Sequence, residues 1–184
     1  MKFLVMVKSE NKLKIKKKLG ILGGTFDPAH RGHLAISKHA KKIFKLESII
    51  WAITNQNPFK DKSKLSLNNR IQFAKKFVSR NNFIKVRFYE KKINSNKTIN
   101  LIKYLNKDNN IDIYFIMGAD SIINFHKWYQ WKSILKKCNI IVYDRRGYKT
   151  KSLKSIAFSQ AYNKNLTFIN FKKVNISSSK LRKI

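Results

Sequence analysis

Short apolar runs alternate with amphipathic stretches along most of the chain. Runs of strand length fall at 19–23, 48–54, 83–89, 111–117, 139–144 and 166–171. Between them, segments near 32–45, 67–80, 97–107, 131–137 and 152–163 read as helices. Leu34, Ile36, Ala40, Ile43 and Phe44 set the spacing in the first of these. Regular alternation predicts an α/β fold, a doubly wound sheet of parallel strands with helices on both faces. A length of 184 residues fits one domain with a proper core. Residues 1–17 carry most of a lysine cluster that runs to Lys18. They read as an extension outside the sheet, with 18–184 as the domain.

Composition narrows the class. Hydrophobic residues at 43% and aromatics at 12% belong to a globular chain, not a disordered one. The net charge of +32 raises the prospect of a nucleic-acid binder. Against this, only seven of the 41 basic residues are arginines, and the lysines occur in nearly every segment instead of along one stripe. No specific nucleic-acid partner is expected. A single cysteine, Cys138, excludes an intramolecular disulfide and a cysteine metal site, and reads as a buried thiol. No apolar run approaches the length of a membrane span, and Phe3–Val7 is too short for a signal-peptide core. A cytoplasmic location is expected. Oligomeric state is not legible.

The chemistry gathers in one stretch, Gly23-Gly24-Thr25-Phe26-Asp27-Pro28-Ala29-His30-Arg31-Gly32-His33. It joins the first strand to the first helix. Strand, glycine turn and helix start are where an α/β fold collects phosphate-binding N–H groups. His30 and His33 are three apart at a helix N-terminus, so both rings can face one spot that carries the positive end of the helix dipole. Two fixed donors there suit nucleotidyl transfer, in which charge builds on phosphate oxygens as pyrophosphate leaves. The bland alternative is a glycine turn with two surface histidines. Eleven positions that fit together argue against it.

Other candidates follow along the chain. After the second strand, Thr54-Asn55-Gln56-Asn57-Pro58-Phe59-Lys60 forms a polar loop at the carboxyl end of the sheet, where ligands bind. Gly118 ends the fourth strand and lets a nucleotide approach. Asp120 can accept from ribose hydroxyls, or simply cap the helix that follows. Phe125, Trp128 and Trp131 lie at helical spacing, which fits either core or a stacking platform. Near the end, Ser177-Ser178-Ser179 offers hydroxyls and N–H groups to phosphate, and Arg182 a bidentate anion clamp.

The stretch 23–33 resembles the GGTFDPxHxGH signature of the nucleotidyltransferase superfamily, and most of all that of bacterial nicotinate-nucleotide adenylyltransferases. The resemblance covers nearly everything from 19 to 182. It implies a Rossmann-like nucleotidyltransferase fold and the reaction of ATP with nicotinate mononucleotide, giving the dinucleotide and pyrophosphate in NAD synthesis. By this resemblance His30 and His33 are catalytic. ATP binding falls to Gly23, Gly24, Thr25, Phe26, Gly118 and Asp120. Ser178, Ser179 and Arg182 join them, matching an Ile-Ser-x-Thr-x-x-Arg motif with Ser179 in place of Thr. On the mononucleotide side, Lys60 pairs with its phosphate and Asn55 shapes the loop, with Thr54 where the family often has Pro. Thr98 matches the first Thr of a Ser-x-Thr-x-x-Thr motif that holds the pyridine carboxylate, with Asn96 and Leu101 in place of the others. Trp128 stacks on the pyridine ring, and the backbone at Tyr129 helps hold its carboxylate. Arg70 sits where the family often has an arginine, with no chemical role assigned. Carboxylates are few, so Mg²⁺ is expected to bind through ATP oxygens and water. The alternatives are a sibling transferase acting on nicotinamide mononucleotide, phosphopantetheine or CTP, and a basic nucleic-acid binder.

Overall fold

A computed structural model describes residues 16–59, 61–107, 109–161 and 165–171. Lys60, Ser178, Ser179 and Arg182 lie outside the described residues. The strands are β1 (Lys17–Gly24), β2 (Ser48–Ile53), β3 (Ile84–Arg87), β4 (Ile111–Gly118), β5 (Asn139–Tyr143) and β6 (Leu166–Ile169). They form one sheet in the order β3-β2-β1-β4-β5-β6, parallel throughout. The order reverses between β1 and β4, and a doubly wound sheet opens its ligand crevice at that switch. Lys17 pairs with Ile111, so the first strand starts one residue inside the expected extension.

Side chains alternate between the two faces. Ile21, Ile50, Ile113, Phe115, Ile140 and Val142 point to one. Leu22, Ile49, Trp51, Ile116 and Ile141 point to the other. Two helices, α1 (Arg31–Phe44) and α2 (Leu67–Phe77), cover the second face through residues such as Ala40 and Ala74. The first is covered by α4 (Thr98–Leu105), α5 (Ala119–Ile122) and α6 (Trp131–Lys137), which bring Ile99, Ile102, Ile122 and Ile134. A short α3 (Glu90–Ile93) precedes α4. Full burial of each such aliphatic side chain stabilises the fold by about 1.5–3 kcal/mol. Gly20 is where β1 meets this packing most tightly. A Cβ there would stand 2.8 Å from Ile49 Cγ1 and 2.9 Å from Leu46 Cδ1.

The expected helix 152–163 is instead two, α7 (Lys149–Leu153) and α8 (Ile156–Ala161). Ser155 explains the break. Its hydroxyl donates to the Ser152 carbonyl at 2.7 Å and accepts from the Phe158 N–H at 3.3 Å, capping α8. The helical turns at 90–93 and 119–122, and a 3₁₀ turn at Phe125–Lys127, are too short for the periodic pattern to announce. Among the described residues no helix is long and apolar enough to cross a membrane.

Candidate active site

Gly23 and Gly24 end β1, and six residues after Gly24 His30 opens α1 as its N-cap. The two histidines lock each other in place. The Gly32 N–H donates to Nδ1 of His30 at 3.0 Å, and the His30 N–H donates to Nδ1 of His33 at 3.2 Å. This is a capping box built from imidazoles. The rings stack at 3.8 Å between centroids. With Nδ1 an acceptor in both, each neutral ring carries its proton on Nε2. The pair is therefore preset as two N–H donors at the positive end of a helix.

A second layer holds His33. Phe26 lies against its ring at 4.6 Å and stacks on Trp51 at 4.9 Å. The Phe26 backbone is left-handed, with φ 50°, uncommon for a bulky residue. Its ring is buried, so a nucleotide would meet its backbone and not its side chain. The Trp51 indole N–H donates to Ser37 Oγ at 2.9 Å, and that hydroxyl donates to the His33 carbonyl at 2.8 Å. Trp51 and Ser37 are fully buried.

The turn is fixed from below by Asp27 and Arg70. Asp27 is buried and accepts from the N–H groups of Lys64 at 2.7 Å and Leu65 at 3.2 Å. Arg70 is 2% exposed. Its guanidinium donates to the carbonyls of Thr25, Thr54 and Asn55, each at 2.8 Å, and of Leu65 at 3.2 Å. Burial lowers its pKa, and the nearby Asp27 and Glu90 carboxylates oppose that. Glu90 grips the same loop from the other side, accepting from the Thr54 hydroxyl and from the Asn55 N–H at 3.3 Å. The Thr54 hydroxyl is a donor that proline lacks.

Between this loop, the turn and α4 lies a cavity of about 250 Å³. Gly23, Gly24, Thr25, Thr98, Trp128 and Tyr129 line it, all of them expected from sequence. Thr98 is the first residue of α4, so that helix start lies at the cavity wall. Trp128 meets Phe115 and Phe125 edge to face at 6.0 and 5.2 Å, while its indole also borders the cavity. Phe125 is wholly buried and belongs to the core, while Trp128 stands between core and cavity. Tyr129 is 56% exposed at the rim. His30, His33, Asn55, Gly118 and Asp120 do not line this cavity. The histidines border it only through the turn.

Asp120 lies in α5, just after the end of β4. Its carboxylate pairs with Arg145 at 2.6 Å. A Cβ on Gly118 would come within 2.5 Å of Asp120 Oδ1, so only glycine permits this placement. Sequence reasoning put Asp27 in the motif without its partners, missed Glu90 and Arg145, and gave Arg70 no role. Their hydrogen bonds go to backbone groups or to side chains distant in sequence, and no local spacing signals that. Lys97 and Lys127 also line the cavity. Among the described residues no three His, Cys, Asp or Glu side chains gather as a metal would need.

The cytidylyltransferase-like family model matches residues 21–184. A Pelagibacter ubique protein named "Probable nicotinate-nucleotide adenylyltransferase" is 69% identical over 180 residues, spanning 97% of this chain and 100% of that one. A Clostridium botulinum protein of the same name is 32% identical, over 91% of this chain and 85% of its own. The nicotinic acid mononucleotide adenylyltransferase of Plasmodium falciparum, complexed with APC, has the same fold. Its TM-score is 0.73 at 21% identity, covering 91% of this chain and 83% of that one. With the paired histidines at the glycine turn and the cavity beside them, these matches establish that the chain belongs to the nicotinate-nucleotide adenylyltransferase family, within the cytidylyltransferase-like proteins.

Proposed function

We propose that the protein transfers the adenylyl group of ATP to nicotinate mononucleotide, forming nicotinate adenine dinucleotide and pyrophosphate. The observation that carries this reading is the imidazole pair preset as Nε2–H donors beside a glycine turn. In the reaction a phosphate oxygen of the mononucleotide attacks the α-phosphorus of ATP in line. The bond to the β-phosphate oxygen breaks, and pyrophosphate leaves with the electron pair. His30 and His33 donate to the oxygens on which charge grows, without any covalent intermediate. The glycine turn receives the ATP phosphates. Gly118 and Asp120 face its ribose, and Ser178, Ser179 and Arg182 hold the triphosphate.

The cavity takes the mononucleotide. Trp128 stacks on the pyridine ring, while N–H groups at Thr98 and Tyr129 receive the carboxylate. Asn55 shapes the loop from which Lys60 meets the phosphate. Asp27, Glu90 and Asp120 are already engaged by protein groups. Mg²⁺ therefore enters as the ATP complex, part of the substrate. The catalytic domain includes Lys17, the first residue of β1, and the setting is the cytoplasm. The test is pyrophosphate release from ATP or CTP with a panel of acceptors: nicotinate mononucleotide, nicotinamide mononucleotide and phosphopantetheine. Release confined to ATP with nicotinate mononucleotide is expected. Faster release with another pair would replace this reading with a sibling activity.

A further inference from the structure

We propose that Arg70 is a positioning residue that couples the two substrate loops, so that each substrate tightens binding of the other. The proposal rests on the adenylyl-transfer reading and goes beyond it. Arg70 sits in the first turns of α2, outside both loops. Its planar fork holds the turn on the ATP side through the Thr25 carbonyl. The same terminal nitrogen, Nη1, holds Thr54, and Nη2 holds Asn55, on the mononucleotide side. Nε anchors the assembly to Leu65. These partners are backbone carbonyls, not carboxylates. The guanidinium therefore fixes main-chain geometry, and its charge stays buried beneath two loops that both receive phosphates.

A rigid fork with several donors cannot follow one loop and leave the other. Ligand binding that orders the turn orders the Asn55 loop with it, and the second ligand then meets a loop whose ordering cost is already met. Lysine keeps the charge but has no fork, so Arg70→Lys separates the two contributions.

The measurement is a binding titration with a non-hydrolysable ATP analogue, so that no turnover intervenes. In the wild type, saturating analogue should tighten nicotinate mononucleotide about tenfold, at the lower end for coupled sites, and the converse by the same factor. In Arg70→Lys the factor should fall to about one. A purely structural role would lower thermal stability and the active fraction while leaving that factor intact. A folded Arg70→Lys protein with wild-type coupling overturns the proposal. So does a wild-type factor of one in an enzyme that turns over. Absence of pyrophosphate release from wild type is a different result and defeats the adenylyl-transfer reading itself. If Arg70→Lys does not fold, hydrogen exchange on the wild type decides. The analogue alone should slow exchange at the Asn55 and Gln56 amides, and unaltered exchange there overturns the coupling.

Discussion

His30 and His33 cap the same helix with each other: the backbone N–H of one is bound, at 3.2 Å, by the ring nitrogen of the other. Helix cap and proposed phosphate donor are thus the two different nitrogens of the same rings. The proton on each ring is directed to Nε2, away from the backbone. Nitrogen-detected NMR of the histidines should show both as the Nε2–H tautomer. A proton on Nδ1 of His33 would mean that the capping box is not formed.

Replacing His33 with alanine should lower kcat by about 10²–10³, the usual loss for one transition-state donor. The missing cap should also cost on the order of 1 kcal/mol of stability. Steady-state rates and thermal midpoints of the purified variant separate the two effects. A kcat close to wild type removes His33 from the chemistry.

Nicotinate mononucleotide should be preferred over the nicotinamide form by about 10² in kcat/KM. A carboxylate accepts from two backbone N–H groups, and a carboxamide offers one acceptor oxygen. The amide leaves a buried donor unmatched, at roughly 1–3 kcal/mol, and forfeits charge assistance. The two kcat/KM values at equal ATP settle the matter, and equality would mean that no carboxylate site exists at Thr98 and Tyr129.

Gly118→Ala should act on ATP and hardly on folding. The new methyl group would meet Asp120 Oδ1 at 2.5 Å and drive the carboxylate from Arg145. Loss of one charge-assisted hydrogen bond, at roughly 1.5–3 kcal/mol, predicts about 10- to 100-fold weaker ATP binding. Calorimetric titration with ATP reads this directly. Unchanged affinity would show that Asp120 does not touch the nucleotide.

Stability should fall in alkali in a way that depends on Cys138. Burial pushes this thiol from 9.0 up to about 12. Between those values the unfolded chain has released the proton and the folded chain has not. The stabilisation is therefore full below about 9 and is lost as pH rises toward about 12. The slope is at most about 1.4 kcal/mol per pH unit. Urea titrations of wild type and Cys138→Ala should show a stability gap that narrows across this range. A constant gap would mean that the thiol ionises alike in both states.

The six parallel strands and most of the helices were legible because each β-α step repeats the same alternation. The histidines, Gly23, Gly24, Thr98 and Trp128 were legible because one motif or one helix start places each. Arg70 was not. Its partners lie 45, 16, 15 and 5 residues away, and all are backbone carbonyls, which any residue type supplies. Glu90 was hidden likewise, since its partners Thr54 and Asn55 belong to a distant loop. Ser155 looked like the interior of one helix because its capping role depends on geometry that no hydrophobic period records.

The chain from the Trp51 indole through Ser37 to the His33 carbonyl gives the site an optical reporter. Trp51 lies edge-on to the His33 ring at 5.9 Å between centroids. With Trp128 and Trp131 replaced by phenylalanine, the remaining tryptophan fluorescence would come from an indole in contact with the His33 ring, and would report phosphate bound beside it without any label.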